Sequence, residues 1–311
     1  MTVLTFPTAR PNLQMNYTTL LERHPEVALD RHSLSFSDKS AVAEIGRAYA
    51  LFGAVLLEQA LPPAVLSASA CAFRQYLQAQ APSAATSDAR GSWHSPWLVR
   101  QGDHFAMAGV LAAVVRSWIW DVVEEMCQSA QIVLLLKFCT ARHNVDDTLG
   151  LGGHQDAKVV DASVPLSLWI PLQEIVPGRC SGLGFVVPRA ERVLPTPSHD
   201  DVGADYLLRE LGNLWLPHYA LGDATIHSNL SVHFTTGFGT RTDRYSFEVR
   251  AMPRASAPAH HLDPVLYVAR RNGLPTFVEA YSSIAKPADG FLRATQSALA
   301  AMPIGQKRAG S

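Results

Sequence analysis

Two stretches of the chain bring together side chains that bind metals and anions. In Gly152-Gly153-His154-Gln155-Asp156 an imidazole and a carboxylate stand two residues apart. On an extended segment that spacing turns both to one face, and the pair suits a divalent first-row metal. The second stretch runs from Gly222-Asp223 through His227 and His233 to Arg244. A hairpin symmetric about 236–240, where Gly237 and Gly239 stand, sets His233 opposite Arg244 and Thr235 opposite Thr242. Directly opposed Cβ atoms are about 5 Å apart, so a metal held by His233 would lie one small-molecule length from the guanidinium.

Two histidines and one carboxylate occupy one face of an octahedral iron and leave three positions open. A 2-oxo acid fills two of them by chelation and dioxygen the third. The far carboxylate of 2-oxoglutarate then needs a cation one ligand length away, and arginine pairs with it bidentately. Thr235 adds a hydroxyl on the same face. His227 shares parity with His233 and is the alternative imidazole ligand. On a continuous strand, however, it lies about 20 Å away, which favours His233.

These residues, taken together, make the chain resemble the phytanoyl-CoA dioxygenase family of iron(II)/2-oxoglutarate oxygenases. His154-Gln155-Asp156 resembles the family's HxD, commonly HQD. Leu168-Trp169-Ile170-Pro171-Leu172 is similar to the strand that follows it, and Ser181-Gly182-Leu183 through Pro188 to the stretch ending in Pro-Gly-Ser-His. Gly222-Asp223, the histidine ten residues after that Asp, and Thr235 and Arg244 two and eleven residues after that histidine complete the pattern. Gly53 to Leu57 is similar to the family's N-terminal strand, so the likeness spans about 45–255. It departs at Arg189-Ala190, where Gly-Ser is usual, at Phe238, where Asn is frequent, and at His227, where an aromatic or aliphatic residue is common.

The resemblance implies a double-stranded β-helix (jelly roll, cupin-like) within an α+β, mainly β fold, buttressed by N-terminal helices. It implies iron(II) on His154, Asp156 and His233, 2-oxoglutarate held by Arg244 and Thr235 with Trp169 beside it, and dioxygen as oxidant. The implied reaction is hydroxylation of an unactivated C–H bond with release of succinate and carbon dioxide. Desaturation, cyclisation and epimerisation use the same residues. Related halogenases lack the carboxylate, so Asp156 argues against halogenation. A cupin-like metal enzyme that uses no 2-oxoglutarate and a catalytically silent jelly-roll binding protein are the rival readings. Substrate contacts are sought in Arg142, His143 and Asn144 on a polar loop before the HxD, in Lys158 after it, and in a possible lid at Ser92–Trp97 that includes Trp97. Lys137 and Cys139 lie on the strand before that loop.

Several elements must hold these groups in place. Gly53–Leu57 reads as a buried strand, Ala64–Gln80 as a helix opened by Pro62-Pro63, and Pro82–Ser95 as a long loop. Ala108–Gln128 reads as one helix with Val110, Val114, Trp118 and Val122 on a stripe. Strands are expected at Ile132–Cys139, Leu166–Leu172, Leu183–Val187, Ala224–Phe234 and Thr242–Met252, with a helical insert near Asp201–Leu211. Helices followed by mostly antiparallel strands point to a sheet-on-sheet core. One domain is expected, with 1–35 an irregular arm and 303–311 a loose tail.

Composition agrees with this and narrows the partners. The chain has 311 residues, 48% hydrophobic and 17% charged, enough apolar surface for a core, so wholesale disorder is excluded. Lys and Arg number 26 against 27 Asp and Glu, which gives no overall pull towards nucleic acid or an acidic membrane. The apolar runs Val110–Val115 and Ile132–Leu136 fall far short of the roughly 20 residues of a bilayer span. The N-terminus lacks a basic start followed by a long apolar stretch. Cys71, Cys127, Cys139 and Cys180 form no CxxC pair, in keeping with reduced thiols in a cytoplasmic protein. The expected partner is a small organic acid, an amino-acid derivative or a secondary-metabolite intermediate, with the oligomeric state open.

Overall fold

Strand alternation organises the molecule. The computed structural model describes residues 34–80, 87–88, 91–145, 152–158, 166–176, 179–196, 202–236, 242–283 and 286–302. Among these, the spine of a large sheet runs β1 (Ser35–Phe36), β2 (Ala54–Leu57), β12 (Ala224–His227), β9 (Leu166–Pro171), β14 (Arg244–Pro253), β7 (Gln131–Leu135), β15 (Val265–Arg271) and β16 (Leu274–Tyr281). The first half of β14 also pairs with β8 (Thr140–Asn144), which carries β4 (Gly91–His94) and then β3 (Ser87–Asp88). Facing it is a small sheet of β11 (Leu214–Trp215), β10 (Gly182–Val186) and β13 (His233–Thr236). A separate hairpin joins β5 (Arg100–Gln101) to β6 (His104–Phe105). Two packed, mainly antiparallel sheets make the expected jelly roll.

The two faces of the large sheet do different work. Val55, Leu57, Leu166, Leu168, Ile170, Ala224, Ile226, Phe247, Val249 and Ala251 form one continuous core with the helices. Those helices are α1 (Val42–Phe52), α2 (Pro63–Ala79), α3 (Ala106–Arg116), α4 (Ile119–Cys127) and α6 (Lys286–Ala301), while α5 (Ala204–Arg209) lies beside the small sheet. The residues between them in sequence, Ser167, Trp169, Thr225, His227, Arg244, Ser246 and Arg250, are also buried but face the small sheet. A buried face this rich in polar groups stands out, because such groups normally remain in water unless they are partnered.

Some elements differ from the sequence reading. The single helix expected over 108–128 is two helices bent by 72°. Ser117 turns extended, its hydroxyl donating to Val114 O and accepting from Ile119 N, so the hydroxyl satisfies backbone groups that the break leaves open. No single helix among the described residues is long and apolar enough to cross a membrane. The loop expected at 82–95 contains β3 and β4, and the polar loop at 142–144 is the end of β8. The expected strand 132–139 stops at Leu135 and continues as a 3-10 turn. Helix α1, strands β15 and β16 and helix α6 lie where no element was read, so the helical buttress is not only N-terminal. The arm at 1–33, the tail at 303–311 and the turn at 237–241 with Phe238 lie outside the described residues.

The largest difference is at 224–234, read as one strand. It is two, β12 in the large sheet and β13 in the small one. The turn between them is held by Gly53, whose carbonyl accepts from Ser228 N at 2.8 Å and Ser231 Oγ at 2.7 Å. Gly53 has φ +80°, and a Cβ there would sit 2.3 Å from Arg189 Cβ and 2.6 Å from Ser231 Oγ. Gly53→Ala is therefore expected to cost about 1–3 kcal/mol. Chemical denaturation should show the loss, and an unchanged midpoint would mean that the turn relaxes freely.

Candidate metal centre

The HxD segment is stitched to the end of β13. His154 N donates to His233 O and His233 N to His154 O, both at 3.0 Å, so the imidazoles stand side by side with ring centroids 4.2 Å apart. Gln155 points the other way. Its amide donates to Arg192 O and Leu230 O, and its carbonyl accepts from Leu194 N. Asp156 then opens a 3-10 turn, Asp156–Lys158, which returns its carboxylate towards the two rings. His154 Nε2 and His233 Nε2 lie 3.9 and 3.8 Å from Asp156 Oδ1.

Hydrogen bonds set the tautomers. His154 Nδ1 is 2.8 Å from Gly152 O and His233 Nδ1 is 3.2 Å from Ser231 O. A carbonyl only accepts, so Nδ1 carries the proton and each Nε2 lone pair is free for a metal. Burial keeps both rings neutral, pushing His154 down to about 4 and lowering His233. Burial also opposes ionisation of Asp156, but the Arg250 guanidinium outweighs it and holds the carboxyl well below the usual range. The donors are thus two neutral imidazoles and a carboxylate, the protonation states a divalent metal needs. All three donor atoms lie within 4.8 Å of one another. Metal–ligand bonds of about 2.1 Å put adjacent octahedral donors about 3 Å apart, so each imidazole nitrogen would close on Asp156 Oδ1 by less than about 1 Å around an ion.

Arg244 is fully buried. Its Nη1 donates to Gly182 O at 3.0 Å and its Nη2 to Asn144 Oδ1 at 2.6 Å. The guanidinium carbon lies 5.6 Å from the Trp169 ring centre. Nε has no hydrogen-bond partner, and no carboxylate pairs with the group among the described residues. Burial accordingly pushes the guanidinium down to about 10. A buried cation without a counter-anion is costly, and a dianionic ligand would remove that cost. The residues thus fit 2-oxoglutarate as well as the metal.

Arg244 and His233 are not the facing pair of a hairpin. His233 pairs with Phe185 and Arg244 with Asn144, so the two side chains approach from opposing sheets. Thr235, buried on β13 opposite Leu183, shares the inward face with His233. His227 is not 20 Å away. Its ring lies 4.7 Å from that of His233, across the sandwich, because the chain turns back at Ser228.

The proposed substrate contacts separate by strand parity. Arg142 shares the inward face of β8 with Asn144, and its guanidinium carbon lies 4.7 Å from the centre of the Trp93 ring. His143 points to the helix side instead, stacked on Tyr245 and paired with Asp243 at 2.8 Å. Trp97 packs against the helix-side core. Lys158 is half-buried just after Asp156, Lys137 is exposed, and Cys139 is buried beneath the sheet. Sequence reasoning missed Asn144 as a partner of Arg244, Gln155 as the anchor of the HxD segment, and Arg250. Even-numbered polar residues along an otherwise apolar strand were the signal for Arg250.

No protein-family model matches the chain, and no curated protein does. Solved structures are similar to it. The nogalamycin epimerase SnoN, in complex with Fe3+, alpha ketoglutarate and nogalamycin RO, is 17% identical with a TM-score of 0.53, covering 80% of this chain and 97% of its own. The alpha-ketoglutarate-dependent carbocyclase SnoK is 17% identical, with a TM-score of 0.52 and coverage of 77% and 88%. EctD from S. alaskensis, with 2-oxoglutarate and 5-hydroxyectoine, is 17% identical, with a TM-score of 0.53 and coverage of 74% and 83%. The chain therefore shares the jelly-roll fold of iron/2-oxoglutarate-dependent enzymes.

Proposed function

We propose that the chain is a non-haem iron(II)/2-oxoglutarate-dependent dioxygenase that hydroxylates an unactivated C–H bond of a small organic molecule. The observation that carries this reading is Arg244, a buried guanidinium without a carboxylate partner among the described residues, facing the same interior as His154, Asp156 and His233. His154, Asp156 and His233 would hold the metal on one face. Arg244 and Thr235 would fix the distal carboxylate of the cosubstrate, and Trp169 would flank its chain. With dioxygen, the bound metal and cosubstrate supply the power to oxidise an unactivated C–H bond, with succinate and carbon dioxide as coproducts. The protein's part is to orient both substrates and keep water out.

Arg142 and Trp93 offer a cation and a flat ring on the inward side of β8, which suits a substrate with an acidic or planar group. Lys158 follows Asp156 on the same 3-10 turn. The similar structures include an epimerase, a carbocyclase and a protein holding 5-hydroxyectoine. The bond that finally forms therefore depends on where the substrate is placed, and the same residues would serve each outcome.

Anaerobic addition of iron(II) and 2-oxoglutarate is expected to produce a weak visible charge-transfer band, and admission of air to release succinate slowly without substrate. Absence of both the band and succinate would end this reading. Stimulated succinate formation across a panel of amino-acid derivatives and aromatic acids, followed by product mass, then identifies the substrate class.

A further inference from the structure

His227 is wholly buried, and neither ring nitrogen has a hydrogen-bond partner among the described residues. An imidazole sealed from water without partners costs free energy, so its place calls for a partner that draws closer in the working protein. Its Nε2 lies 3.7 Å from Asp156 Oδ2, a little beyond hydrogen-bonding range. The two oxygens of Asp156 face different groups. Oδ1 faces His154 and His233. Oδ2 faces His227, receives a hydrogen bond from Ser167 Oγ at 3.3 Å and pairs with Arg250 Nη2 at 2.8 Å.

A second trio of potential donors shares that carboxylate. Asp156, His227 and Glu248 also offer atoms within 4.8 Å of one another. Arg250 already spans the two acids, with Nη2 on Asp156 and Nη1 2.6 Å from Glu248 Oε1. A divalent ion between these acids would have to displace a buried guanidinium that neutralises both. The arrangement favours one metal, held through Oδ1, with Oδ2 gripped by the protein.

We propose that His227 is a positioning residue: with Arg250 it holds Asp156 Oδ2, so that Asp156 offers only Oδ1 to the metal and the Asp156–His227–Glu248 trio stays closed to a second ion. The inference rests on reading His154, Asp156 and His233 as a metal site. Partners that orient a ligand typically set metal affinity within 10–100-fold.

Cobalt(II), whose visible bands report its ligand field, is the probe. Wild type should bind one equivalent. His227→Phe, which keeps a ring beside Phe185 (now 5.4 Å from the His227 ring), should weaken cobalt binding about 10–100-fold and shift the bands. His227→Gln, which restores an N–H donor, should recover most of the affinity. In wild-type protein loaded with zinc and labelled with 15N-histidine, His227 should retain a slowly exchanging Nε2–H. This measurement stands even if His227→Phe fails to fold. Two cobalt equivalents in wild type, unchanged affinity and bands in His227→Phe, or a His227 Nε2 that has lost its proton to a metal would each overturn the proposal. If wild type binds no cobalt, the metal-site reading itself fails. If it binds normally and the His227 variants match it, only this inference does.

Discussion

Arg244→Met is expected to weaken 2-oxoglutarate binding on the order of 100-fold or more while leaving the ligand-free protein no less stable. Removing one member of a buried, hydrogen-bonded charge pair costs about 2–5 kcal/mol of binding. Titration of the anaerobic charge-transfer band measures the loss directly. The stability half of the expectation runs against habit, since deleting a buried, hydrogen-bonded residue usually destabilises. Here the guanidinium is wholly buried and its unpaired Nε is sealed from water. Its two hydrogen bonds, to Gly182 O and Asn144 Oδ1, must offset the desolvation of a full charge. Replacing such a group by an apolar side chain of similar reach is often neutral or favourable. A marked fall in the melting temperature of ligand-free Arg244→Met would mean that the arginine is a structural strut rather than a waiting anion site.

Asp156→Asn is expected to have the other large effect. The amide keeps the shape of the carboxylate but loses its charge, which faces two imidazoles through one oxygen and Arg250 through the other. A change to a ligand itself should cost at least as much as the 10–100-fold typical of changes behind one. Iron(II) affinity should therefore fall by about 100-fold or more, and turnover at limiting iron with it. Folding should survive, because Arg250 keeps its ion pair with Glu248. Metal content after dialysis, read beside the circular dichroism spectrum, separates the two effects. An Asp156→Asn protein that retains iron as wild type does would show that the carboxylate is not a ligand.

The sequence makes the fold class legible because alternation is strong where a sheet has one face against helices. Leu168 and Ile170, or Phe247 and Val249, announce buried strands without any partner being known. That Arg244 faces the same interior as His154, Asp156 and His233 is harder to read. Chain distance suggested a hairpin, whereas β13 with His233 lies in the small sheet and β14 with Arg244 in the large one; the chain also changes sheets between His227 and His233, and only that crossing makes His227 a neighbour of His233. Ser228, Asn229 and Ser231 are the local hint of that turn, weak because such residues also occur in strands. His143 illustrates the opposite error. It sits beside two inward residues, yet parity alone sends it to the other face. Helix α1 and the β15–β16–α6 ending leave no trace in the chemistry-bearing motifs, because they serve packing.

Strand β14 acts as a molecular ruler. It carries Arg244 at one end and Arg250 near the other, six residues apart, a span of about 20 Å. The cation proposed for the cosubstrate and the cation paired with Asp156 thus belong to a single strand. Their separation is a whole number of pleats, so it cannot drift by small steps during divergence. One residue added or removed between them would rotate one arginine into the apolar helix layer, whereas two would restore the orientation at the wrong length. Insertions or deletions that keep both arginines on the inward face at this separation must therefore fall outside residues 244–250.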